Sequence, residues 1–135
     1  MPRYEFDGQV AFVTGAGRGQ GRSHAEQYAK HGADVVLVGG ARGIETSQYT
    51  LATADQLHET ARIVEDEGQE ALVVHADVRD EAAVEAAVDE TLEEFGRIDV
   101  LANNAGIWNV TDLVEMEERR WDELVDSNLK GAWLC

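Results

Sequence analysis

The residues able to do chemistry in this chain gather in a few short runs. The first is Thr14-Gly15-Ala16-Gly17-Arg18-Gly19-Gln20-Gly21. It lies between an apolar run, Val10 to Val13, and a segment with helical spacing, Ala25, Tyr28 and Ala29, stopped by Gly32. Strand, glycine-rich turn and helix together make an arrangement for binding phosphate. Glycine lets the backbone bend and approach a ligand with no Cβ in the way. The helix that follows aims free N–H groups and its positive dipole end at an anion. Spacing sorts the possible turns. G-x-G-x-x-G would need glycine at Gln20 or at Arg22, and a P-loop would need Gly-Lys-Ser/Thr. T-G-x-x-x-G-x-G fits, with Gly15, Gly19 and Gly21 in the glycine places. Gly15, Gly17 and Gly19, read as G-x-G-x-G, also suit a methyltransferase, and a tight turn without a ligand is a third reading.

The remaining runs each follow an apolar segment. After Val35–Val38 comes Gly39, 24 residues past Gly15. An acid near that distance bonds the ribose 2′-hydroxyl of NAD, whereas an arginine accommodates the 2′-phosphate of NADP. The acid is missing here. Arg18 and Arg42 are close in sequence and able to hold a 2′-phosphate, while Glu45 is placed to fold back as a substitute acid. NAD and NADP both stay open. After the third apolar segment comes Ala76-Asp77-Val78, in which Asp77 can accept from an adenine amino group and Val78 can pack on the ring. After the fourth comes Asn103-Asn104-Ala105-Gly106, in which paired amides can tie neighbouring strands and the small Ala105 and Gly106 leave room for a ribose. Finally Asn128 falls on an apparent apolar stripe of Trp121, Leu124, Val125 and Ala132. A buried amide there costs roughly 1–3 kcal/mol if unpaired, so a partner is expected.

The glycine turn joined to Asn103-Asn104-Ala105-Gly106 resembles the short-chain dehydrogenase/reductase family. This removes the methyltransferase reading, which has no use for the asparagine run. The resemblance implies a Rossmann-type domain and an oxidoreductase that moves a hydride between NAD or NADP and an alcohol or ketone. It implies a cofactor site of Thr14, Gly15, Arg18, Gly19, Gln20, Gly21, Gly39, Arg42, Asp77, Val78, Asn103, Ala105 and Gly106. Asp126-Ser127-Asn128-Leu129-Lys130-Gly131 resembles the segment carrying the asparagine of the family's Asn-Ser-Tyr-Lys tetrad, which makes Asn128 the catalytic residue. The Tyr-x-x-x-Lys of that tetrad has no match: Tyr4, Tyr28 and Tyr49 are followed four residues later by Gly8, Gly32 and Thr53. The resemblance thus covers the first half or so of the family domain, and the 135 residues alone are expected to be inactive. A naturally short, non-catalytic nucleotide-binding module, or a degraded gene product, is the alternative. Gly19-Gln20-Gly21-Arg22-Ser23-His24 and Tyr49-Thr50-Leu51-Ala52-Thr53 are similar to the carveol-dehydrogenase-like branch, associated with mycofactocin-coupled alcohol oxidation. That branch binds NAD tightly and carries the acid absent at Gly39. Full-length members are expected to form homo-oligomers, tetramers or dimers.

Four strands must position these runs: about 10–14, 33–38, 71–76 and 98–102. They alternate with helices over about 19–31, from Thr53 to Gly68, from Asp80 to Gly96, and from Glu117 onward. Thr53 with Gln56 fits a capping box. The alternation predicts a doubly wound parallel sheet with helices on both faces, one incomplete domain over residues 1–135. The strand at 98–102 is expected to be an open edge that promotes association.

Composition narrows the partners. The 27 acidic residues against 11 basic ones give a net charge of −16, a field that repels nucleic acid and anionic membranes. No run approaches the ~20 apolar residues of a membrane span. Lone Cys135 excludes an internal disulfide, and a cytoplasmic protein is expected. The histidines His24, His31, His58 and His75 show no metal-ligand spacing, so no metal is expected. Acids spread over the helix faces also fit adaptation to high salt.

Overall fold

The structure is a computed structural model that describes residues 4–40 and 43–135. Its elements are β1 (Val10–Thr14), α1 (Gly19–Lys30), β2 (Asp34–Gly39), α2 (Ala54–Asp66), β3 (Ala71–His75), α3 (Glu81–Phe95), β4 (Val100–Ala102), a 3₁₀ turn (Leu113–Glu115), α4 (Glu118–Val125), a π-helical turn (Asp126–Lys130) and α5 (Gly131–Leu134). The four strands form one parallel sheet in the order β3-β2-β1-β4. This is the Rossmann-like α/β arrangement.

Strand alternation divides the core in two. Val13, Val35 and Leu37 pack with Ala25 and Ala29 of α1 and Leu57, Ala61 and Val64 of α2. Val10, Phe12, Val36, Val38 and Val74 face the other way, against Ala87 of α3. The central strands are buried on both sides, which is why they read as unbroken apolar runs.

Local signals set the helix ends. Thr53 accepts from the Gln56 amide at 3.3 Å, while the Gln56 side chain accepts from the Thr53 amide at 2.9 Å. Asp80 Oδ1 accepts from the amides of Ala82 and Ala83, and Gly96 closes α3 with φ +74°.

Two expectations change. β4 starts at Val100 rather than Ile98, because Asp99 clamps the strand entry. Its carboxylate accepts from the Val10 amide at 2.9 Å and its own amide donates to the Val10 carbonyl at 2.9 Å. The last helix carries a π-helical turn, and its fully buried positions are not those of the apolar stripe, of which Leu124, Val125 and Ala132 are half-buried. Glu123, Ser127 and Gly131 are buried, whereas Trp121 is 54% exposed and Asn128 is exposed. Glu123 is drawn in by the amide and hydroxyl of Thr46, and Gly131 lies so close to Val78 that a Cβ would not fit there. β4 is one edge of the sheet and β3 the other, and Leu101 on β4 is 43% exposed.

Candidate functional site

The glycine turn leaves β1 at its carboxyl end. Gly15 (φ +65°) lies so close to the asparagine run that a Cβ on it would meet Ala105 Cα at 2.9 Å. Gly21 is tighter still: a Cβ there would sit 2.1 Å from the Gly15 carbonyl oxygen. Two side chains lock this junction. Thr14, 1% exposed, accepts at its hydroxyl from the amides of Asn104 (3.1 Å) and Ala105 (3.0 Å). Asn104 donates from Nδ2 to the carbonyls of Thr14 (3.0 Å) and Gly15 (3.1 Å). The strand-tying role expected of the asparagine pair thus belongs to Asn104. Asn103 is exposed and donates instead to the Ala132 carbonyl at 3.1 Å.

The carboxyl ends of the strands enclose a cleft of about 710 Å³. Gly15, Arg18, Gly19, Gln20, Gly39, Asp77, Val78, Ala105, Gly106 and Asn128 all line it. Thr14, Gly21 and Asn103 do not: the first two are packed behind the turn and the third faces outward. Arg42 lies outside the described residues.

Conformation and charge fit the cleft for an anion. α2 and α3 satisfy their first N–H groups with Thr53 and Asp80, but α1 has no side-chain cap and no acid in its first turn. Gly19, at the start of α1, has φ +58° and nothing within 4 Å of where a Cβ would stand. Arg18 donates to the Thr50 carbonyl and lies 5.9 Å above the Tyr49 ring. On the opposite wall Asp77 is held by Arg79, with bonds of 2.6 to 3.1 Å, and the Asp77 carboxylate raises the Arg79 pKa. Val78 is buried against Gly131, where a Cβ would come within 2.6 Å of Val78 Cγ2.

Asn128 has a partner, although it is exposed rather than buried. Its Oδ1 accepts from the Ile107 amide at 2.8 Å and its Nδ2 donates to the Ile107 carbonyl at 2.7 Å. The π-helical turn around it sets the amide opposite that backbone, and Gly106 is bare because a Cβ would lie 2.6 Å from Asn128 Oδ1. Widened turns of this kind recur at functional sites.

The loop after β2 holds the groups that sequence reasoning missed. It crosses the cleft mouth as a strap. Tyr49 stacks on Trp108 with centroids 5.1 Å apart, and its hydroxyl accepts from the Trp108 amide at 3.3 Å. Gln48 makes two bonds to the Val110 backbone, of 3.0 and 2.9 Å. Buried Glu123 accepts from both the amide and the hydroxyl of Thr46. Burial pushes its carboxyl pKa up, but the Thr46 bonds and nearby Arg119 outweigh this and leave it below the ordinary value. Glu45 is not a substitute acid at the ribose: it pairs outward with Arg119 at 2.6 Å, is two-thirds exposed and does not line the cleft. An acid four residues before Ser127 and eight before Gly131, on one helix face, was the available signal for Glu123.

Comparisons with known proteins agree with this architecture. The family described as short chain dehydrogenase matches residues 9–135. A (-)-trans-carveol dehydrogenase of Rhodococcus erythropolis is 46% identical over 128 residues, covering 94% of this chain and 46% of that protein. An uncharacterised NAD-dependent oxidoreductase of Mycobacterium tuberculosis is 42% identical over 127 residues, covering 93% of this chain and 46% of its own length. The crystal structure of carveol dehydrogenase from Mycobacterium avium in complex with NAD superposes with a TM-score of 0.92 at 38% identity, over 97% of this chain and 48% of that one. The chain therefore spans about half the length of the relatives it matches.

Proposed function

This chain belongs to the short-chain dehydrogenase family, and from that premise we propose that it forms the dinucleotide-binding half of an oxidoreductase acting on an alcohol or ketone. The observation that carries the reading is the single cleft on which the glycine turn, Asp77–Val78, Ala105–Gly106 and Asn128 converge. NAD, the cofactor named for the similar proteins, supplies or accepts the hydride when bound. The chain's own residues bind and orient it. The uncapped first turn of α1 and the bare backbone at Gly19 receive the pyrophosphate. Asp77 and Val78 receive the adenine, and Ala105 and Gly106 border a ribose. Asn128, fixed by its two bonds to Ile107, holds the wall next to the reacting end. Tyr49 and Trp108 shield the mouth from water, as closing loops do in many enzymes. The identity to a carveol dehydrogenase supports a secondary alcohol of apolar, cyclic type as the substrate class of the whole enzyme. With no Tyr-x-x-x-Lys among the 135 residues, the chain by itself binds cofactor without turning over alcohol.

Titration with NADH and NADPH, followed through quenching of tryptophan fluorescence, tests the reading. Saturable binding of at least one reduced dinucleotide with no alcohol-dependent reduction of the oxidised form is expected. Failure of both to bind a folded chain refutes it.

A further inference from the structure

We propose that Arg22 is a positioning residue of the dinucleotide site, holding the glycine turn in its binding conformation from behind; this rests on the proposed function above. Arg22 is on α1, one residue past Gly21, and does not line the cleft. Its guanidinium is driven between the turn and α2. Nη2 lies 2.7 Å from the Gly17 carbonyl, 3.0 Å from the Gln56 carbonyl and 3.0 Å from Glu59 Oε2, while Nε donates to Thr60 Oγ1 at 3.0 Å. Thr60 is fully buried, and its hydroxyl lies 2.9 Å from the Ala16 carbonyl. Two consecutive carbonyls of the turn, Ala16 and Gly17, are therefore anchored on the α2 side.

A trans peptide puts the following N–H opposite its carbonyl. Fixing the carbonyls of Ala16 and Gly17 thus fixes the N–H groups of Gly17 and Arg18, two residues that line the cleft. A glycine-rich turn is intrinsically floppy, since glycine loses more freedom on ordering than any other residue. The Arg22–Thr60 pair removes that freedom before a ligand arrives, which lowers the ordering cost of binding. Arginine suits the role through its planar fork, which addresses several acceptors at fixed angles while retaining its charge next to an anion site.

The test compares two ligands on the full 135-residue chain. ADP-ribose carries the pyrophosphate and adenosine lacks it. Arg22→Met is expected to weaken ADP-ribose at least tenfold and to leave adenosine within twofold. Arg22→Lys recovers part of the loss, because an ammonium still donates to a carbonyl. Thr60→Val, which keeps the shape and removes the hydroxyl, weakens ADP-ribose by a smaller factor and serves if Arg22→Met does not fold. Glu59→Gln, changing only the exposed member of the network, stays within twofold. Unchanged ADP-ribose affinity in Arg22→Met and Thr60→Val overturns the proposal, as does an equal loss for both ligands, which marks a purely structural role. A wild-type chain that binds neither ADP-ribose nor NADH overturns the functional reading along with it.

Discussion

Replacing Thr14 by valine removes one hydroxyl and almost no volume. That hydroxyl accepts from two backbone amides, Asn104 and Ala105, at 3.1 and 3.0 Å, and lies at a weak 3.4 Å from the Ala102 carbonyl. Thr14 is 1% exposed, so water does not replace it freely. Each buried donor left unpaired costs about 1–3 kcal/mol. The two amides are only partly buried, which puts each near the lower end, and the valine methyl fits where the hydroxyl was. The sum is about 2–3 kcal/mol of stability. A domain of this size loses about 4 °C of melting temperature per kcal/mol, so Tm falls by about 10 °C.

Urea unfolding read by far-UV circular dichroism measures the loss directly, and Thr14→Ser is the control. Serine keeps the acceptor and sacrifices one methyl, at about 1 kcal/mol. NADH affinity is expected to fall together with stability in Thr14→Val, since the released amides belong to the loop that lines the cleft. A Thr14→Val chain within about 0.5 kcal/mol of wild type would show that the junction of β1 and β4 does not depend on this hydroxyl. The asparagine run would then be held by the Asn104 side chain and not by Thr14.

Two further outcomes follow from the same geometry. Gly21→Ala places a Cβ 2.1 Å from the Gly15 carbonyl oxygen and 2.6 Å from Asn104 Nδ2, neither of which can swing aside. It should cost about 3 kcal/mol or more in the urea midpoint, against about 1 kcal/mol for Gly19→Ala, which meets open space and only a left-handed backbone penalty. Equal costs at the two positions would contradict the packing. The carboxyl pKa values of Glu123 and Asp99 are both lowered in the folded chain, so each contributes stability that is complete above the ordinary values of 4.5 and 3.8 and is lost as pH falls through the folded values. Relief of the −16 charge acts in the opposite direction in mild acid. The difference in urea midpoint between wild type and Glu123→Gln isolates the Glu123 part. It should shrink as the solution is acidified below pH 4.5, and a constant difference would exclude Glu123 as the group responsible.

What could be read from the sequence was local or periodic. Val10–Val13 and Val35–Val38 are buried on both faces and so appear as runs, and Thr53 with Gln56, Asp80 and Gly96 announce helix ends within four residues of themselves. The cleft was legible because three of its walls are strand ends, which the alternation of elements brings side by side. The strap was not. Glu123 bonds Thr46 across 77 residues, and Gln48 meets Val110 across 62, and nothing in the neighbourhood of either residue hints at the other. The last helix misled for a related reason. Trp121, Leu129 and Trp133 are exposed and Leu124, Val125 and Ala132 only half-buried, while the fully buried positions are Glu123, Ser127 and Gly131. Periodicity finds the apolar face, whereas Glu123 is buried by its bonds to Thr46.

The corner at the end of β2 shows how the missing acid and the strap belong together. A Cβ on Gly39 would come within 3.1 Å of Leu57 Cδ1, so the bare backbone there is filled from behind by α2 rather than left as a gap. Restoring an aspartate at this position would require Leu57, 1% exposed and part of the core, to give way. Glu45, the other acid in reach by sequence, is drawn off to Arg119 on the far side of the strap. Among the described residues, the cleft side of this corner has the backbone of Gly39 and Gly40 together with Arg18, itself braced by Thr50 and the Tyr49 ring. Neither Gly39 nor Glu45 thus presents a carboxylate to this corner of the cleft, and the Arg18 guanidinium that lines it is held by the strap.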